Sequence, residues 1–204
     1  KNIKRLVLVS TCSKYGIGEK KLLSEKAKLK PLSYYSKQKV KIEKLLIKMK
    51  KTNFTMTILR FATAFGISSR MRFDLTVSQF TRDLFFREKL VVFDEHTWRP
   101  YCHVRDFARL IEIVINSDNN KVYFEVFNAG GEQNNYTKKM IIDAISSKIK
   151  DCIIEYNQND SDPRNYKVDF SKVKKVLDFS PSYSIEMGIE ELISAFESGL
   201  FSES

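Results

Sequence analysis

The sequence has 204 residues, of which 43% are hydrophobic and 29% are charged, and its formal net charge is +10. These values are typical of a globular chain with one sizeable core, and no apolar run approaches the roughly 20 residues of a membrane-spanning helix. Three widely separated cysteines, Cys12, Cys102 and Cys152, lack paired metal-ligand spacing. We therefore expect a protein of the reducing cytoplasm, with no structural metal site and no membrane association.

Strand and helix signals alternate along the first half of the chain. The continuous apolar run RLVLVS (5–10) predicts a buried strand, and SYYSKQKVKIEKLL (33–46) predicts a helix that follows it. A second apolar run, MTILRF (56–61), predicts another buried strand. The stretch FDLTVSQFTRDLFF (73–86) then has the apolar spacing of a helix.

The second half continues this alternation. KLVVF (89–93) and YCHV (101–104) predict short strands, and RDFARLIEIVIN (105–116) predicts an amphipathic helix. VYFEVFNAG (122–130) predicts a further strand that the glycines break.

Two more helices are predicted towards the C-terminus. Isoleucines such as Ile141 and Ile145 recur at helical spacing, and Ser184 is a suitable N-cap for a last helix that ends at Gly199. Strands that alternate with helices predict an α/β fold with a parallel sheet.

Reactive side chains gather beyond the carboxyl ends of the strands in such a sheet. The first strand delivers Thr11 to that edge, and the following helix carries Tyr35 and Lys39 four residues apart, on one face. An ammonium beside a phenol favours the phenolate, so Lys39 is expected to lower the pKa of Tyr35 towards the working pH, as a general base requires. The alternative is that the two residues are only surface neighbours.

Five segments occur in a fixed order across nearly the whole chain, namely STCSKYG, SYYSKQKVKIE, LRFATAFG, WRPYCHVRDFA and FNAGG. Together they resemble the extended short-chain dehydrogenase/reductase family, in the branch of NAD-dependent epimerases and dehydratases that act on nucleotide sugars. The resemblance implies the C-terminal part of a Rossmann-like doubly wound parallel sheet plus a smaller α/β substrate-binding lobe. It assigns residues 1–66 to the NAD-binding domain. Residues 67–204 are then mainly the nucleotide-sugar lobe, with some strands and helices returning to the first domain.

The resemblance also implies roles for individual residues. Tyr35 matches the catalytic acid/base that takes a proton from a sugar hydroxyl while hydride passes to the nicotinamide. Lys39 matches the lysine that holds the nicotinamide ribose, and Thr11 matches the hydroxyl residue that hydrogen-bonds the same sugar oxygen. Phe61 and Ala62 match the segment that contacts the nicotinamide.

Substrate contacts are implied further along the chain. Thr63 stands where the family often has asparagine. Arg99 occupies the position of an arginine that meets the substrate pyrophosphate, and Arg164 is its possible counterpart.

The sequence departs from the family pattern in two places. Dehydratases of the family follow the threonine with an aspartate and a glutamate, where this chain has Cys12 and Ser13, so epimerisation or simple oxidation and reduction is favoured over elimination. The glycine-rich dinucleotide turn is also missing, since Gly16 and Gly18 lie beyond STCS. The segment that would distinguish NAD from NADP is therefore not recognisable. We expect either a homodimer or an absent N-terminal half to cover the apolar edge of RLVLVS.

Three functions remain open at this stage. The first is an NAD-dependent epimerase or oxidoreductase acting on a nucleotide sugar, and the second is a truncated or degenerate module that binds a nucleotide sugar or a partner without turnover. The third is a nucleic-acid-binding protein, which the positive charge alone favours, because no nucleic-acid-reading motif accompanies it. Most lysines between Lys20 and Lys51 are expected on the solvent side of one helix, as is the charge of Glu43. The apolar side of that helix would consist of Val40, Ile42, Leu45, Leu46 and Met49.

Overall fold

The computed structural model describes residues 3–18, 21–50, 54–158 and 163–201. The strands are β1 (Arg5–Thr11), β2 (Thr55–Phe61), β3 (Thr63–Phe65), β4 (Leu90–Phe93), β5 (Trp98–His103), β6 (Glu125–Ala129), β7 (Asn135–Thr137) and β8 (Ile154–Asn157). The helices are α1 (Tyr34–Lys48), α2 (Thr76–Phe85), α3 (Val104–Asn116), α4 (Asn119–Val122), α5 (Lys138–Ser146), α6 (Ser171–Leu177) and α7 (Ile185–Glu197). The prediction of an α/β fold is confirmed.

A three-stranded parallel sheet in the order β1-β2-β6 forms the first layer. All residues of the middle strand β2 are buried, including the polar Thr57 and Arg60. Ile58 of β2 pairs with Leu8 of β1 on one side and with Val126 of β6 on the other. The carboxyl ends of the three strands therefore meet at one edge, which begins at Thr11 and Phe61.

The strand β1 is less buried than its apolar run predicts, because Ser10 is the one residue of the strand that is fully buried. Within the described residues it is the edge of the sheet, and Val9 is exposed. The expectation that a second copy or an absent N-terminal half covers this edge stays a prediction.

A second layer is built on the short strands β3, β5 and β7. The pair β3 and β5 is parallel, β5 and β7 are antiparallel, and β4 pairs separately with β8. Helices α2, α5 and α7 enclose an apolar core beside these strands. The members of that core include Val77, Leu84, Ile141, Ile145, Ile189 and Leu192.

Two glycines permit close packing at the end of β3, one against α7 and one against β5. A Cβ atom at Gly188 would lie 2.5 Å from the ring of Phe65, and one at Gly66 would lie 2.0 Å from Nε2 of His103. Gly66 also has a φ of +96°, which side-chain-bearing residues rarely adopt. The imidazole of His103 is fully buried and pairs through Nε2 with Oε2 of Glu191 on α7 at 2.8 Å.

The buried face of α1 is polar, which corrects the predicted apolar stripe. Of that stripe, Val40 is buried, whereas Ile42 is 40% exposed and Leu45 is 63% exposed. The other buried residues of the helix are Ser36 and Glu43. Glu43 was expected to be a charge on the exposed face, and the structure instead places it in the interior.

Glu43 lies inside the protein because two cations meet it there. Arg60 of β2 donates to its carboxylate from Nε at 3.2 Å and from Nη2 at 2.9 Å, and the ammonium of Lys14 forms a second ion pair with it. Burial works against the charged carboxylate, but Arg60 and Lys14 outweigh it and lower the pKa of Glu43. Burial lowers the pKa of Lys14 to about 8, although Glu43 opposes this shift.

Neighbouring polar groups extend this buried ion cluster. Nη1 of Arg60 donates to the Tyr15 hydroxyl at 3.0 Å, and that hydroxyl donates to Oδ1 of Asn128 at 2.7 Å. The cluster, defined as Lys14, Tyr15, Glu43, Arg60 and Asn128, thus joins α1 to β2, to β6 and to the turn after β1.

Several element boundaries differ from the sequence prediction for local reasons. The strand predicted from residue 122 begins at Glu125, because Val122 ends the short helix α4 and Phe124 has a φ of +53°. The helix predicted from residue 73 begins at Thr76. Ser184 caps the last helix as predicted, accepting a hydrogen bond from the backbone N–H of Met187.

Among the helices that the structure describes, none is long and apolar enough to cross a membrane. Within the same ranges, no cluster of three or more His, Cys, Asp or Glu residues could hold a metal ion.

Replacing the buried carboxylate of Glu43 tests how much the ion cluster contributes to the free energy of unfolding. Glu43→Gln leaves two buried cations without a countercharge, so we expect the free energy of unfolding to fall by about 3–5 kcal/mol. Urea denaturation followed by circular dichroism measures this loss. Glu112→Gln, which changes an exposed carboxylate on α3, is the matched control and should stay within about 0.5 kcal/mol. Equal stability of the two variants would contradict the role assigned to Glu43.

Candidate active site

A cavity of about 530 Å³ opens at the carboxyl ends of β1 and β2. Every residue that the sequence analysis assigned to the site, except Lys39, lines it. These residues are Thr11, Tyr35, Phe61, Ala62, Thr63, Arg99 and Arg164. Further lining residues come from the turn after β1, from β3, from the start of α2 and the segment before it, from β5, from the start of α5 and from residue 166. They are Ser13, Ala64, Arg72, Asp74, Leu75, Thr76, Tyr101, Lys138 and Tyr166.

Thr11 ends β1 and turns the chain at the cavity. Its Oγ1 accepts a hydrogen bond from the backbone N–H of Ser13 at 3.1 Å and donates to Ser13 Oγ at 3.0 Å. The threonine therefore caps a short 3-10 turn (Cys12–Tyr15) and also faces the cavity. Its hydroxyl is held in place by the local backbone, which suits a group that must meet a ligand at a fixed position.

Tyr35 projects into the cavity from the first turn of α1. Ser33 caps that helix and accepts a hydrogen bond from the backbone N–H of Ser36. The Tyr35 side chain is 56% exposed. Burial of its remaining surface raises the pKa of the phenol, and Arg72 is the cation that opposes this effect.

The expectation that Lys39 lowers the pKa of Tyr35 is wrong for this structure. The Lys39 ammonium donates to the carbonyl oxygen of Val9 at 2.8 Å and lies 5.7 Å from the centroid of the Tyr35 ring. The Lys39 ammonium thus lies near the Tyr35 ring, and its hydrogen bond is made to the backbone near the end of β1.

Phe61 and Ala62 form an apolar part of the cavity lining, called the floor below. The ring of Phe61 stacks on Phe107 with centroids 4.1 Å apart. The backbone N–H of Ala62 donates to the carbonyl of Ala129 at 3.1 Å, which fixes the chain directly after β2. The floor is therefore set by the same sheet that carries Thr11.

Cations and aromatic rings form another part of the cavity lining. The guanidinium of Arg99 on β5 lies 5.4 Å from the ring centroid of Tyr166, and its side chain is buried. Burial raises the pKa of Tyr101 and of Tyr166, while Arg99 and Arg164 act against this rise at both phenols. Arg99 and Arg164 therefore lie near the same two rings.

Lys138 is a cavity residue that the sequence analysis missed. It is the first residue of α5, directly after the N-cap Thr137, and its ammonium donates to the carbonyl of Phe93 at 2.6 Å. The apolar spacing of α5 predicted the helix, but it carried no signal that the N-terminus of the helix faces the site.

Arg72 and Asp74 were missed as well. Nε of Arg72 donates to one Asp74 oxygen at 2.6 Å and Nη2 donates to the other at 2.5 Å. These hydrogen bonds lower the pKa of Asp74 to about 2. Both residues lie outside any regular element, between β3 and α2, where periodicity gives no indication of their direction.

The residue after Thr11 does not face the cavity. Cys12 is buried, and its Sγ donates to the carbonyl of Arg60 at 3.0 Å. Burial raises the pKa of this thiol. Of the two residues that replace the dehydratase acids, only Ser13 therefore lines the site.

The space beside Gly16 and Gly18, the glycines of YGIGEK, is occupied by other parts of the protein. A Cβ at Gly16 would lie 2.0 Å from the carbonyl oxygen of Lys30, and one at Gly18 would lie 2.9 Å from Cβ of Tyr166. These glycines permit internal packing, so they do not form a cradle for a pyrophosphate.

The parallel sheet and the cavity beyond its strand ends define an α/β protein of the Rossmann-like class. The chain belongs to the NAD dependent epimerase/dehydratase family, because the sequence model of that family matches residues 1–130.

Comparisons with individual proteins agree with this assignment. The chain is 28% identical over 201 residues to a Bacillus subtilis (strain 168) protein named "Uncharacterized UDP-glucose epimerase YtcB", covering 97% of this chain and 62% of that protein. It is 27% identical over 197 residues to UDP-glucuronate 4-epimerase of Thermodesulfobacterium geofontis (strain OPF15), covering 94% and 59%. The crystal structure of UDP-glucuronic acid 4-epimerase from Bacillus cereus, in complex with UDP-glucuronic acid and NAD, superposes with a TM-score of 0.85 at 25% identity, covering 98% and 63%. The chain thus spans about three fifths of the length of these relatives.

Thiol reactivity tests the placement of Cys12 away from the cavity. We expect iodoacetamide to modify the partly exposed Cys152 first and to leave Cys12 and Cys102 unmodified in the folded protein, because burial raises the pKa of both buried thiols. Mass spectrometry of peptides after timed labelling measures this order, and labelling in urea is the control in which all three thiols react. Alkylation of Cys12 as fast as that of Cys152 would contradict the placement.

Proposed function

We propose that this protein is an NAD-dependent epimerase or oxidoreductase acting on a nucleotide-activated sugar. The observation that carries the proposal is that Thr11 and Tyr35 line the same cavity as Arg99 and Arg164. Hydroxyl groups suited to proton transfer thus share one cavity with cations suited to a diphosphate.

The residues present fit one end of a dinucleotide. Phe61 and Ala62 offer an apolar surface for a nicotinamide ring, and Lys39 and Tyr35 offer a donor and a hydroxyl for its ribose. When bound, NAD supplies the site that accepts and returns a hydride. A cradle for the pyrophosphate is not found in the ranges 3–18, 21–50, 54–158 and 163–201, and the same residues would accept the nicotinamide end of NADP.

Tyr35 is proposed as the acid/base of the reaction. Its phenolate oxygen would take the proton from a sugar hydroxyl, and the resulting phenol would return that proton after the hydride step. Thr11 would hydrogen-bond the same sugar oxygen and so hold it near Tyr35. The fixed hydrogen bonds of Thr11 to Ser13 favour this positioning role.

Arg99, Lys138 and Arg164 are proposed to bind the diphosphate of the substrate. Planar guanidinium groups meet phosphate oxygens two at a time, and an ammonium adds a point charge. The first residue of a helix also lies where orphan backbone N–H groups favour anions. Thr63, next to the floor, would contact the sugar.

Elimination of water is disfavoured by the residues after Thr11. A dehydratase needs an acid for the departing hydroxyl and a base for the neighbouring proton. Ser13 is not a carboxylic acid, and Cys12 is a buried thiol with a raised pKa. We therefore propose epimerisation or oxidation and reduction without elimination.

The alternative is a non-catalytic module that binds a nucleotide sugar or a partner. Two observations favour this second candidate. The space beside Gly16 and Gly18 is occupied by the protein itself, and the pKa of Tyr35 is raised. Thermal unfolding with UDP-glucose and with NAD separates the two functions. An enzyme should be stabilised by both ligands, whereas the module should respond to the nucleotide sugar alone.

The domain division and the partner of β1 are also proposals. We assign residues 1–66 to the NAD-binding domain and 67–204 mainly to the sugar-binding lobe, and the return of β6 to the sheet of β1 and β2 supports the mixed character of the second part. The exposed edge at β1 supports a covering partner, either a second copy or additional polypeptide.

Removing the phenol of Tyr35 tests the catalytic role. Tyr35→Phe should lower kcat for a UDP-sugar by on the order of 10²–10⁴, with nearly unchanged binding of the nucleotide sugar, because one proton-transfer group is lost. Tyr34→Phe is the control, since Tyr34 is exposed outside the cavity and should tolerate the change. Steady-state kinetics and calorimetry measure the two effects. Equal activity of both variants would refute the assignment.

Removing the charge of Lys138 tests the diphosphate site. Lys138→Gln should weaken binding of UDP by about 10-fold, because a charge-assisted contact is lost, and should leave binding of uridine unchanged. Lys139→Gln is the matched control, since the next lysine pairs with Asp143 and does not line the cavity. Isothermal titration calorimetry gives both affinities. A similar loss in both variants, or a similar loss for uridine, would contradict phosphate binding at Lys138.

A further inference from the structure

Five phenylalanine rings pack together between the segment before α2 and the end of α7. They belong to Phe73, Phe85, Phe86, Phe196 and Phe201. Phe196 lies at the centre, because the centroid of its ring is 5.2–6.2 Å from the centroids of the other four. Aromatic rings bury a large apolar area, and tilted or edge-to-face pairs are favoured at such distances. These five rings, called the aromatic cluster, continue the apolar core that α2 and α7 enclose.

A turn that ends α7 brings Phe201 back to this cluster. After the helix, Gly199 has a φ of +70°, and its N–H donates to the carbonyl of Phe196 at 3.0 Å. The N–H of Leu200 donates to the carbonyl of Ala195 at 3.0 Å. These two hydrogen bonds form a Schellman motif, in which glycine takes the left-handed conformation. The chain therefore reverses directly after α7 and returns the ring of Phe201 to the aromatic cluster, 6.2 Å from that of Phe196.

Phe73 connects the aromatic cluster to the cavity. Its ring meets that of Phe201 edge-on, with centroids 5.4 Å apart, and lies 6.0 Å from that of Phe196. The two neighbours of Phe73 in the chain, Arg72 and Asp74, both line the cavity. Residues 72–76, called the rim segment, therefore carry one ring into the core and other side chains to the ligand site.

The hydrogen bonds at the start of the rim segment stay within it. Nε and Nη2 of Arg72 both donate to Asp74, and Leu75, the N-cap of α2, supplies no side-chain cap. Because the side chains of the ion pair are 57% and 64% exposed, the pair contributes little to the order of the segment. Packing of the Phe73 ring therefore ties the start of the rim segment to the core.

We propose that Phe201 is a positioning residue for the cavity, because its ring holds Phe73 in the core and thereby keeps the rim segment where it lines the ligand site. The inference rests on the proposed function for its meaning in ligand binding. The free energy of one aromatic pair corresponds to about a two- to ten-fold change in the population of a detached segment. Without the Phe201 ring, the rim segment should therefore leave the core more often, and a ligand would have to order it on binding.

Limited digestion with trypsin measures the rim segment without any ligand. The protease cleaves after Arg72 when the surrounding chain detaches from the core, so the rate of cleavage follows the population of the detached segment. Phe201→Ala should raise this rate about two- to ten-fold. Phe201→Leu, which keeps an apolar contact, should lie between the native protein and Phe201→Ala. Mass spectrometry of the first fragments identifies the cleaved bond.

Phe86→Ala is the matched control. It removes the same kind of ring from the same aromatic cluster, but the ring contacts of Phe86 are with Phe85 and Phe196. Cleavage after Arg72 should therefore stay near the native rate in this variant. Urea denaturation of both variants shows how far global unfolding contributes to each rate. Equal rates in Phe201→Ala and Phe86→Ala would overturn the inference, as would a native rate in Phe201→Ala.

Ligand binding then connects the rim segment to the cavity. Isothermal titration calorimetry with UDP-glucose should give Phe201→Ala a Kd about two- to ten-fold above the native value, and Phe86→Ala a native Kd. Saturating UDP-glucose should in turn slow the cleavage after Arg72 in the native protein, because the ligand favours the ordered rim. Faster cleavage in Phe201→Ala with an unchanged Kd would overturn the positioning role. If the cleavage rates change as expected and the native protein binds no nucleotide sugar, the hold of Phe201 on the rim segment stands and the proposed function fails.

Discussion

A carboxylate buried between two cations holds this structure together at its functional end. Glu43 lies inside α1 and meets Arg60 of β2 and Lys14 of the turn after β1. A charge inside a protein is costly without a partner, so the helix has one favourable rotation and one favourable height against the sheet. Tyr35 lies about two turns before Glu43 on the same helix, and its position over the strand ends follows from that fixed register.

The ion cluster also explains how distant segments of the chain arrive at one place. Arg60 donates a hydrogen bond to Tyr15, and Tyr15 donates one to Asn128 on β6. The strand ends that carry Thr11, Phe61 and Ala129 are therefore linked by the buried ion cluster. The cavity opens beyond these strand ends. Rigid support beneath and irregular segments around the rim are the usual arrangement for a small-molecule site.

Long, strongly patterned elements were predictable from the sequence, whereas short ones and long-range pairs were not. The buried strand β2 and the amphipathic helix α3 follow from apolar spacing that extends over many residues. The three-residue strands β3 and β7 contain too few residues for any period to show. Glu43 was misjudged because its burial depends on two cations that lie far away in the sequence, and Arg72 and Lys138 were missed because tertiary folding alone brings them to the cavity. Tyr35 was assigned from its helical spacing to Lys39 as well as from the family resemblance, whereas Arg99 was assigned from the resemblance alone.

The contact between Gly188 and Phe65 gives the last helix an influence on the cavity. Phe65 ends the same three-residue strand that begins with Thr63, a cavity residue, and α7 lies against its ring with no room for a methyl group. His103 and Glu191 link the same helix to β5, the strand of Arg99. A side chain in place of Gly188 would have to displace the ring of Phe65, and the end of β3 would move with that ring. The last helix thus constrains the strand that carries Thr63, although α7 supplies none of the residues that line the cavity.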